Sequence, residues 1–179
     1  MSEGGAADGR ARKGGGFRRR RELSGAARLY AVQALFQMEA AGQSSDRVSR
    51  EFRNWRIATP DEDGQESPEA DEELFQRIVD DAVTWQARID QATDRNLKDR
   101  WPLERIDPVL RAVFRAAGAE LFAGTTPPRV VLSEYGRVAE AFFGDGPETR
   151  LVTAVLDAVL RETGGGEAGR GGTGRDPRT

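Results

Sequence analysis

Apolar residues recur at spacings of three and four along most of this chain, and no stretch alternates with the period of two typical of a half-buried strand. The clearest row is Ala27, Ala31, Leu35 and Met38. Such a row lies on one face of a helix, which must pack against another element. The sequence therefore predicts an all-α fold, a single-domain bundle of about six or seven helices around one core.

Capping residues divide the chain into these helices. Ser24 is placed to cap the first long helix, and Gly42 to end it. The pairs Ser67-Pro68 and Asp107-Pro108 have the order of N-cap and first helical residue, so each predicts a helix start.

The C-terminal third contains two further helices. Gly124 ends the helix that begins at Asp107-Pro108, and the next one is predicted over Arg129–Phe143. Gly136 lies inside that helix, where glycine costs about 1 kcal/mol relative to alanine. Pro147 begins the last helix.

Both ends of the chain are rich in glycine and arginine and poor in apolar residues. Such segments cannot bury enough apolar surface to offset the entropy of ordering. We therefore expect a disordered basic arm over residues 1–22, a helical domain over residues 23–162, and a disordered Gly/Arg-rich tail over residues 163–179.

Charge is unevenly distributed although the formal net charge is only −3. Seven basic residues and no acid lie between Arg10 and Arg21, and eight acids and no base lie between Asp61 and Glu73. Dense arginine neutralises phosphates and can contact them in a bidentate way, so the block favours a nucleic-acid partner over a tail without a defined partner. The acidic stretch is expected to be a solvated loop.

The chain contains no cysteine and no histidine, which excludes disulfides, Cys/His metal sites and catalysis by imidazole or thiolate. Glu120 and Glu134 could form an acid pair for hydrolysis, but salt bridges or partner contacts fit them better. We therefore expect no enzyme activity, no catalytic residue, no metal and no cofactor. No apolar run approaches the ~20 residues of a membrane span, and we expect a cytoplasmic protein.

Four segments resemble, in the same order, the NusB family of bacterial transcription antitermination factors. They are ARLYAVQALFQ (27–37), RIDPVLRAVFRAAGAEL (105–121), PPRVVLSE (127–134) and LVTAVLD (151–157). Each segment alone has low specificity, but the four together cover residues 24–160.

This resemblance implies an all-helical RNA-binding fold without catalytic activity or a cofactor. It implies that the chain acts with the small-subunit ribosomal protein NusE and recognises the boxA element of nascent ribosomal RNA. The bound complex would help the transcription elongation complex to read through terminators.

The resemblance also suggests site residues. Arg28 matches the family arginine before the AVQAL run, and Phe36 takes the place of a family tyrosine near the partner surface. The family often has arginines directly before Arg28, where residues 24–26 of this chain are Ser-Gly-Ala. The candidates for RNA binding are Arg18, Arg19, Arg20, Arg21, Arg28 and Arg150, and those for partner binding are Phe36 and Glu120.

Two alternatives remain open. The same fold occurs as the RNA-binding N-terminal domain of certain ribosomal RNA cytosine methyltransferases, which would need a following cofactor-binding domain that we do not expect in this chain. A helical module that binds only protein is the other alternative.

Overall fold

The described part of the chain folds into six α-helices. The computed structural model describes residues 8–60, 63–97 and 102–162. The helices are α1 (Asp8–Ala41), α2 (Ser45–Trp55), α3 (Glu72–Asn96), α4 (Pro108–Ala123), α5 (Pro128–Phe143) and α6 (Pro147–Glu162). A 3-10 turn at Leu103–Arg105 precedes α4, and within these ranges the only β-type pairing is an isolated bridge between Pro60 and Glu66. The predicted all-α bundle is confirmed.

Helix α4 is the centre of the core. Nine of its sixteen residues are buried, on all sides of the helix, as expected for a helix surrounded by others. It packs against α1, α3, α5 and α6. None of the described helices is both long and apolar enough to cross a membrane.

Helices α3 and α4 approach each other closely at Gly118. A Cβ atom at this position would lie 2.5 Å from Cγ2 of Ile89. Glycine therefore stands inside α4 because the backbone of α4 rests directly on a side chain of α3.

The predicted boundaries of α4 are confirmed. Asp107 caps the helix, its carboxylate accepting hydrogen bonds from the N–H groups of Val109 and Leu110. Gly124 ends the helix with a φ of 66°, in the left-handed region that favours glycine. Pro147 begins α6 as predicted.

The predicted start of α3 at Ser67-Pro68 is wrong. Asp71 is the N-cap and accepts a hydrogen bond from the Leu74 N–H. The preceding segment folds on itself, because the Ser67 N–H donates to the Thr59 carbonyl at 3.0 Å. Residues 63–66 of the acidic stretch are exposed, whereas Glu72 and Glu73 belong to the first turn of α3.

Helix α1 begins at Asp8, so residues 8–22 of the predicted disordered arm are helical, and Ser24 lies inside the helix instead of capping it. Arginine favours helix, and extension of an existing helix avoids the cost of nucleation. Glu22 adds an i,i+4 ion pair with Arg18, at 3.0 Å. Residues 1–7 and the predicted tail 163–179 lie outside the described residues.

Candidate nucleic-acid interface

A groove of about 430 Å³ separates the first half of α1 from α5. Four of the α1 positions that line it recur at spacings of four and three, which places them in one row along the helix. The lining residues are Arg18, Arg21, Glu22, Gly25 and Leu29 from α1, and Glu134, Arg137, Val138 and Ala141 from α5.

Two arginines share one carboxylate in this groove. Arg137 donates from Nη1 to Oε1 of Glu134 at 2.6 Å, and Nε of Arg21 lies 3.5 Å from the same oxygen. Glu134 is buried, whereas the side chains of Arg21 and Arg137 are 51% and 50% exposed. Since a guanidinium has five N–H donors, each arginine keeps donors that face solvent.

The groove is therefore a cationic site with an apolar lining. Arg18, Arg21 and Arg137 supply positive charge, and Leu29 and Val138 supply apolar surface. Guanidinium groups suit phosphate oxygens, and an apolar wall suits the face of an unstacked base.

The arginine block does not form one patch, because successive residues of a helix point about 100° apart. Arg18 and Arg21 line the groove, and Arg19 instead pairs at 2.8 Å with Glu69, which precedes α3. Arg20 is exposed and is not among the residues that line the groove. Arg150 is exposed on α6, also outside the groove.

Arg28 and Glu120 form a buried, bidentate ion pair between α1 and α4. Nε of Arg28 lies 2.8 Å from Oε2 of Glu120, and Nη2 lies 2.9 Å from Oε1. Their side chains are only 5% and 3% exposed. Thr126 donates a further hydrogen bond to Glu120, at 2.8 Å. The predicted direct contacts of Arg28 with RNA and of Glu120 with a protein partner therefore disagree with the structure, because each side chain is buried against the other.

The environment of this pair fixes its charges. Burial would lower the pKa of Arg28, but the hydrogen bond and the charge of Glu120 outweigh that effect and raise the pKa above its ordinary value. Tyr135 is fully buried, and burial together with the nearby charge of Glu120 raises its pKa well above 10.0. A charged arginine thus lies next to a neutral phenol.

Phe36 remains a candidate for a surface contact. It is 37% exposed and continues the row of Gly25 and Leu29 along α1. One turn later, Glu39 accepts hydrogen bonds from Nε of Arg111 at 3.0 Å and from Nη1 of Arg115 at 2.6 Å.

Glu39 also lines a second, larger groove of about 970 Å³ between α1, α3 and the start of α4. Leu35, Met38 and Leu103 give this groove an apolar floor. Its charged lining residues are the carboxylates Glu39, Asp90, Asp94 and Glu104 and the arginines Arg111 and Arg115, so acids outnumber bases by two and the groove is acidic.

The comparisons with known proteins agree on one family. The family model of NusB matches residues 25–161. The chain belongs to the NusB family.

Two curated relatives, both transcription antitermination proteins NusB, come from Maricaulis maris and Caulobacter vibrioides. The first is 45% identical over 143 residues, covering 79% of this chain and 88% of the relative. The second is 43% identical over 137 residues, covering 76% and 91%.

Solved NusB-family structures share the fold. A crystal structure of the antitermination factors NusB and NusE in complex with dsRNA matches with a TM-score of 0.62 and 21% identity, covering 77% of this chain and 96% of that chain. T. maritima NusB matches with a TM-score of 0.60 and 26% identity, covering 80% and 91%.

Within this NusB-family chain, the arginine block lies upstream of the family match, which begins at residue 25. Sequence reasoning did not select Arg137 as a site residue. The signal available in the sequence is the i,i+3 spacing of Glu134 and Arg137, which favours an ion pair on one helix but does not point to a site. Periodicity does not indicate that this part of α5 packs beside Arg21.

Proposed function

We propose that this chain is an RNA-binding transcription antitermination factor of the cytoplasm. It binds the boxA element of nascent ribosomal RNA together with NusE and supports processive transcription by the elongation complex. The observation that carries the proposal is the arginine-lined groove between α1 and α5 in a NusB-family fold. In support, relatives with 43–45% identity are transcription antitermination proteins, and a structure of the same fold contains NusB, NusE and dsRNA.

RNA would bind along the groove. Arg18, Arg21 and Arg137 would contact phosphates and set the position of the strand, and the apolar wall at Leu29 would contact an unstacked base. Glu134 would act indirectly, since it holds Arg21 and Arg137 at the floor of the groove.

NusE would bind at Phe36 and along the acidic groove between α1, α3 and α4. A ribosomal protein carries positive charge for its own RNA, and carboxylates such as Glu104 would complement it. RNA and NusE held on one chain would strengthen each other through effective concentration.

A titration tests the proposal. Binding of a boxA RNA and of a scrambled RNA of equal length is measured with and without NusE, at two salt concentrations. We expect tighter binding of the boxA RNA and a further gain with NusE. Equal affinity for both RNAs, in the presence and absence of NusE, would contradict the proposed function.

Single substitutions test the groove itself. Arg21→Ala and Arg137→Ala should each reduce the salt slope of RNA binding, by about 0.7 for every phosphate of a single strand that the substituted arginine no longer neutralises. Arg20→Ala removes the same charge from the block but does not touch the groove, so it should leave the slope unchanged. An equal effect of all three substitutions would show diffuse attraction instead of binding in the groove.

A further inference from the structure

The indole ring of Trp55 is largely exposed to solvent. It is the last residue of α2 and is 71% exposed. Single exposed apolar residues are common on protein surfaces, and this one is notable for the arginines around it. Helix α2 and its C-cap are basic, with exposed arginines at Arg47, Arg50, Arg53 and the C-cap Arg56 against the two acids Asp46 and Glu51.

The position of Trp55 relative to α1 follows from one hydrogen bond. Gln37 of α1 donates to Oε2 of Glu51 on α2 at 2.9 Å. Trp55 is one turn beyond Glu51 on the same side of α2. The ring of Phe52 on α2 contacts that of Tyr30 on α1, with centroids 6.3 Å apart, so α2 runs back along α1 after the turn at residues 42–44. Trp55 therefore lies on the N-terminal side of Gln37 along α1.

A partly buried strip of α1 lies between this position and the groove. Helix α5 packs along the row of α1 that contains Leu29, and α2 packs on the side of Gln37, about 100° away around the helix. Ala26 and Gln33 lie between these two sides, and neither is buried.

The charges near Trp55 favour an anion. Arg56 lies over the ring of Phe52, 5.5 Å from its centroid, and its Nη2 lies 3.4 Å from Oε1 of Glu51, so this arginine neutralises the Glu51 carboxylate. Within the described parts of the chain, Arg53 has no ion pair. An arginine near the C-terminus of a helix also complements the helix dipole, but that does not account for an exposed tryptophan.

We propose that Trp55, with Arg53 and Arg56, forms a second subsite for single-stranded RNA, reached from the groove across the partly buried strip of α1. One base stacks on the indole, and the arginines contact the adjacent phosphates. This inference rests on the proposed function, and it adds an RNA contact on α2 to the groove on α1 and α5.

The test compares two RNAs, one restricted to boxA and one extended by unpaired nucleotides at both ends. Trp55→Ala should weaken binding of the extended RNA by about 5- to 150-fold, which corresponds to ~1–3 kcal/mol for one stacked base. Binding of the short RNA should not change. Trp55→Phe should recover much of the loss, because phenylalanine also stacks.

Asn54→Ala, at the neighbouring exposed position on α2, is the matched control and should have no effect on either RNA. Circular dichroism checks that each variant is folded. Equal binding of the extended RNA by the wild-type chain and Trp55→Ala would overturn the subsite and leave the groove intact. A loss confined to NusE binding would overturn it too, since Trp55 would then contact protein. A wild-type chain that binds neither RNA would contradict both proposals.

Discussion

At the scale of single residues, the ion pair between Arg28 and Glu120 joins the helix that carries the groove to the helix at the centre of the core. Its two hydrogen bonds leave almost no surface on either side chain. Removal of one partner from a buried pair leaves an uncompensated charge in the interior. We therefore assign to this pair the positioning of α1 on the core.

Substitution of one member should be costly. Arg28→Met should lower the free energy of unfolding by about 3–5 kcal/mol, because Glu120 would remain buried without its partner. Arg28→Met with Glu120→Leu should recover part of that loss, since neither charge is then buried. Urea denaturation of the two single variants and the double variant measures the coupling. Additive losses would show that the two side chains act independently.

Glu39 should give the stability a defined pH dependence. The hydrogen bond from Arg111, with the charges of Arg111 and Arg115, lowers the pKa of Glu39 below its ordinary value of 4.5. A carboxyl with a lowered pKa in the folded state contributes stability that is complete above 4.5 and is lost as the pH falls through the folded pKa. The destabilisation caused by Glu39→Gln should therefore be large at neutral pH and small in acid.

Urea denaturation at neutral pH and at a pH well below 4.5 measures this difference. Glu140→Gln, at an exposed position on α5, is the matched control. If Glu39→Gln costs the same at both pH values, the ion pairs of Glu39 with Arg111 and Arg115 do not stabilise the fold in solution.

The sequence pointed to Arg28, Phe36 and Glu120, but it did not show which side chains surround them. Arg28, Phe36 and Glu120 were selected from segments that resemble the family. The spacing of residues along one helix does not reveal which neighbouring helix covers them, so the burial of Arg28 against Glu120 was not predictable. Phe36 is exposed, and its predicted contact with a partner stays a prediction.

At the scale of the helices, the glycine inside α4 and the glycine inside α5 have opposite roles. Gly118 lies where α4 touches Ile89, whereas a Cβ atom at Gly136 would meet only Oγ1 of Thr153, at 3.8 Å. At Gly118 the distance of 2.5 Å is too short for two carbon atoms, so Ile89 or the backbone of α4 would have to move. At Gly136 the distance of 3.8 Å is an ordinary van der Waals contact. The same substitution should therefore change stability in opposite directions at these positions.

Gly118→Ala should destabilise the chain by about 1–3 kcal/mol, because the added methyl group overpacks the interface between α3 and α4. Gly136→Ala should stabilise it by up to about 1 kcal/mol through helix propensity. Thermal unfolding measures both. Addition of Ile89→Ala to Gly118→Ala should relieve the clash. If Gly118→Ala alone does not change the stability, α3 and α4 can move apart without a cost in free energy.

Helix boundaries were predictable where a cap acts locally. Asp107 accepts hydrogen bonds from the first N–H groups of α4 through its side chain, and Gly124 ends the helix through its left-handed backbone conformation. The start of α3 was not predictable, because the Asp71 N–H donates to the Leu23 carbonyl of α1, a contact between distant parts of the chain. The N-terminal extension of α1 was missed for a different reason, since composition alone suggested disorder for residues 8–22.

At the scale of the whole molecule, basic and acidic grooves lie on different parts of the bundle. The basic groove lies between α1 and α5, and the acidic groove lies between α1, α3 and α4. Helix α1 contributes to both, so RNA and NusE could occupy one chain together. The two binding reactions should therefore be separable by substitution.

Glu104→Lys should slow association with NusE and reduce its dependence on salt, because a rim charge acts mainly on the rate of encounter. RNA binding without NusE should not change. Asp145→Lys makes the same charge change in the exposed turn between α5 and α6 and should leave NusE association unchanged. Stopped-flow kinetics measures both rates, and equal slowing by the two substitutions would place NusE elsewhere on the chain.

The uninterrupted course of α1 from Asp8 to Ala41 has a consequence for how its arginines can change. A flexible arm would tolerate insertions, whereas in a continuous helix each inserted residue rotates all the residues before it relative to those after it. One alanine inserted between Arg21 and Gly25 would turn the whole block by about 100° relative to the domain. Arg18 and Arg21 would leave the groove although the net charge of the chain stayed the same. The groove therefore depends on the length of this segment as much as on its charge.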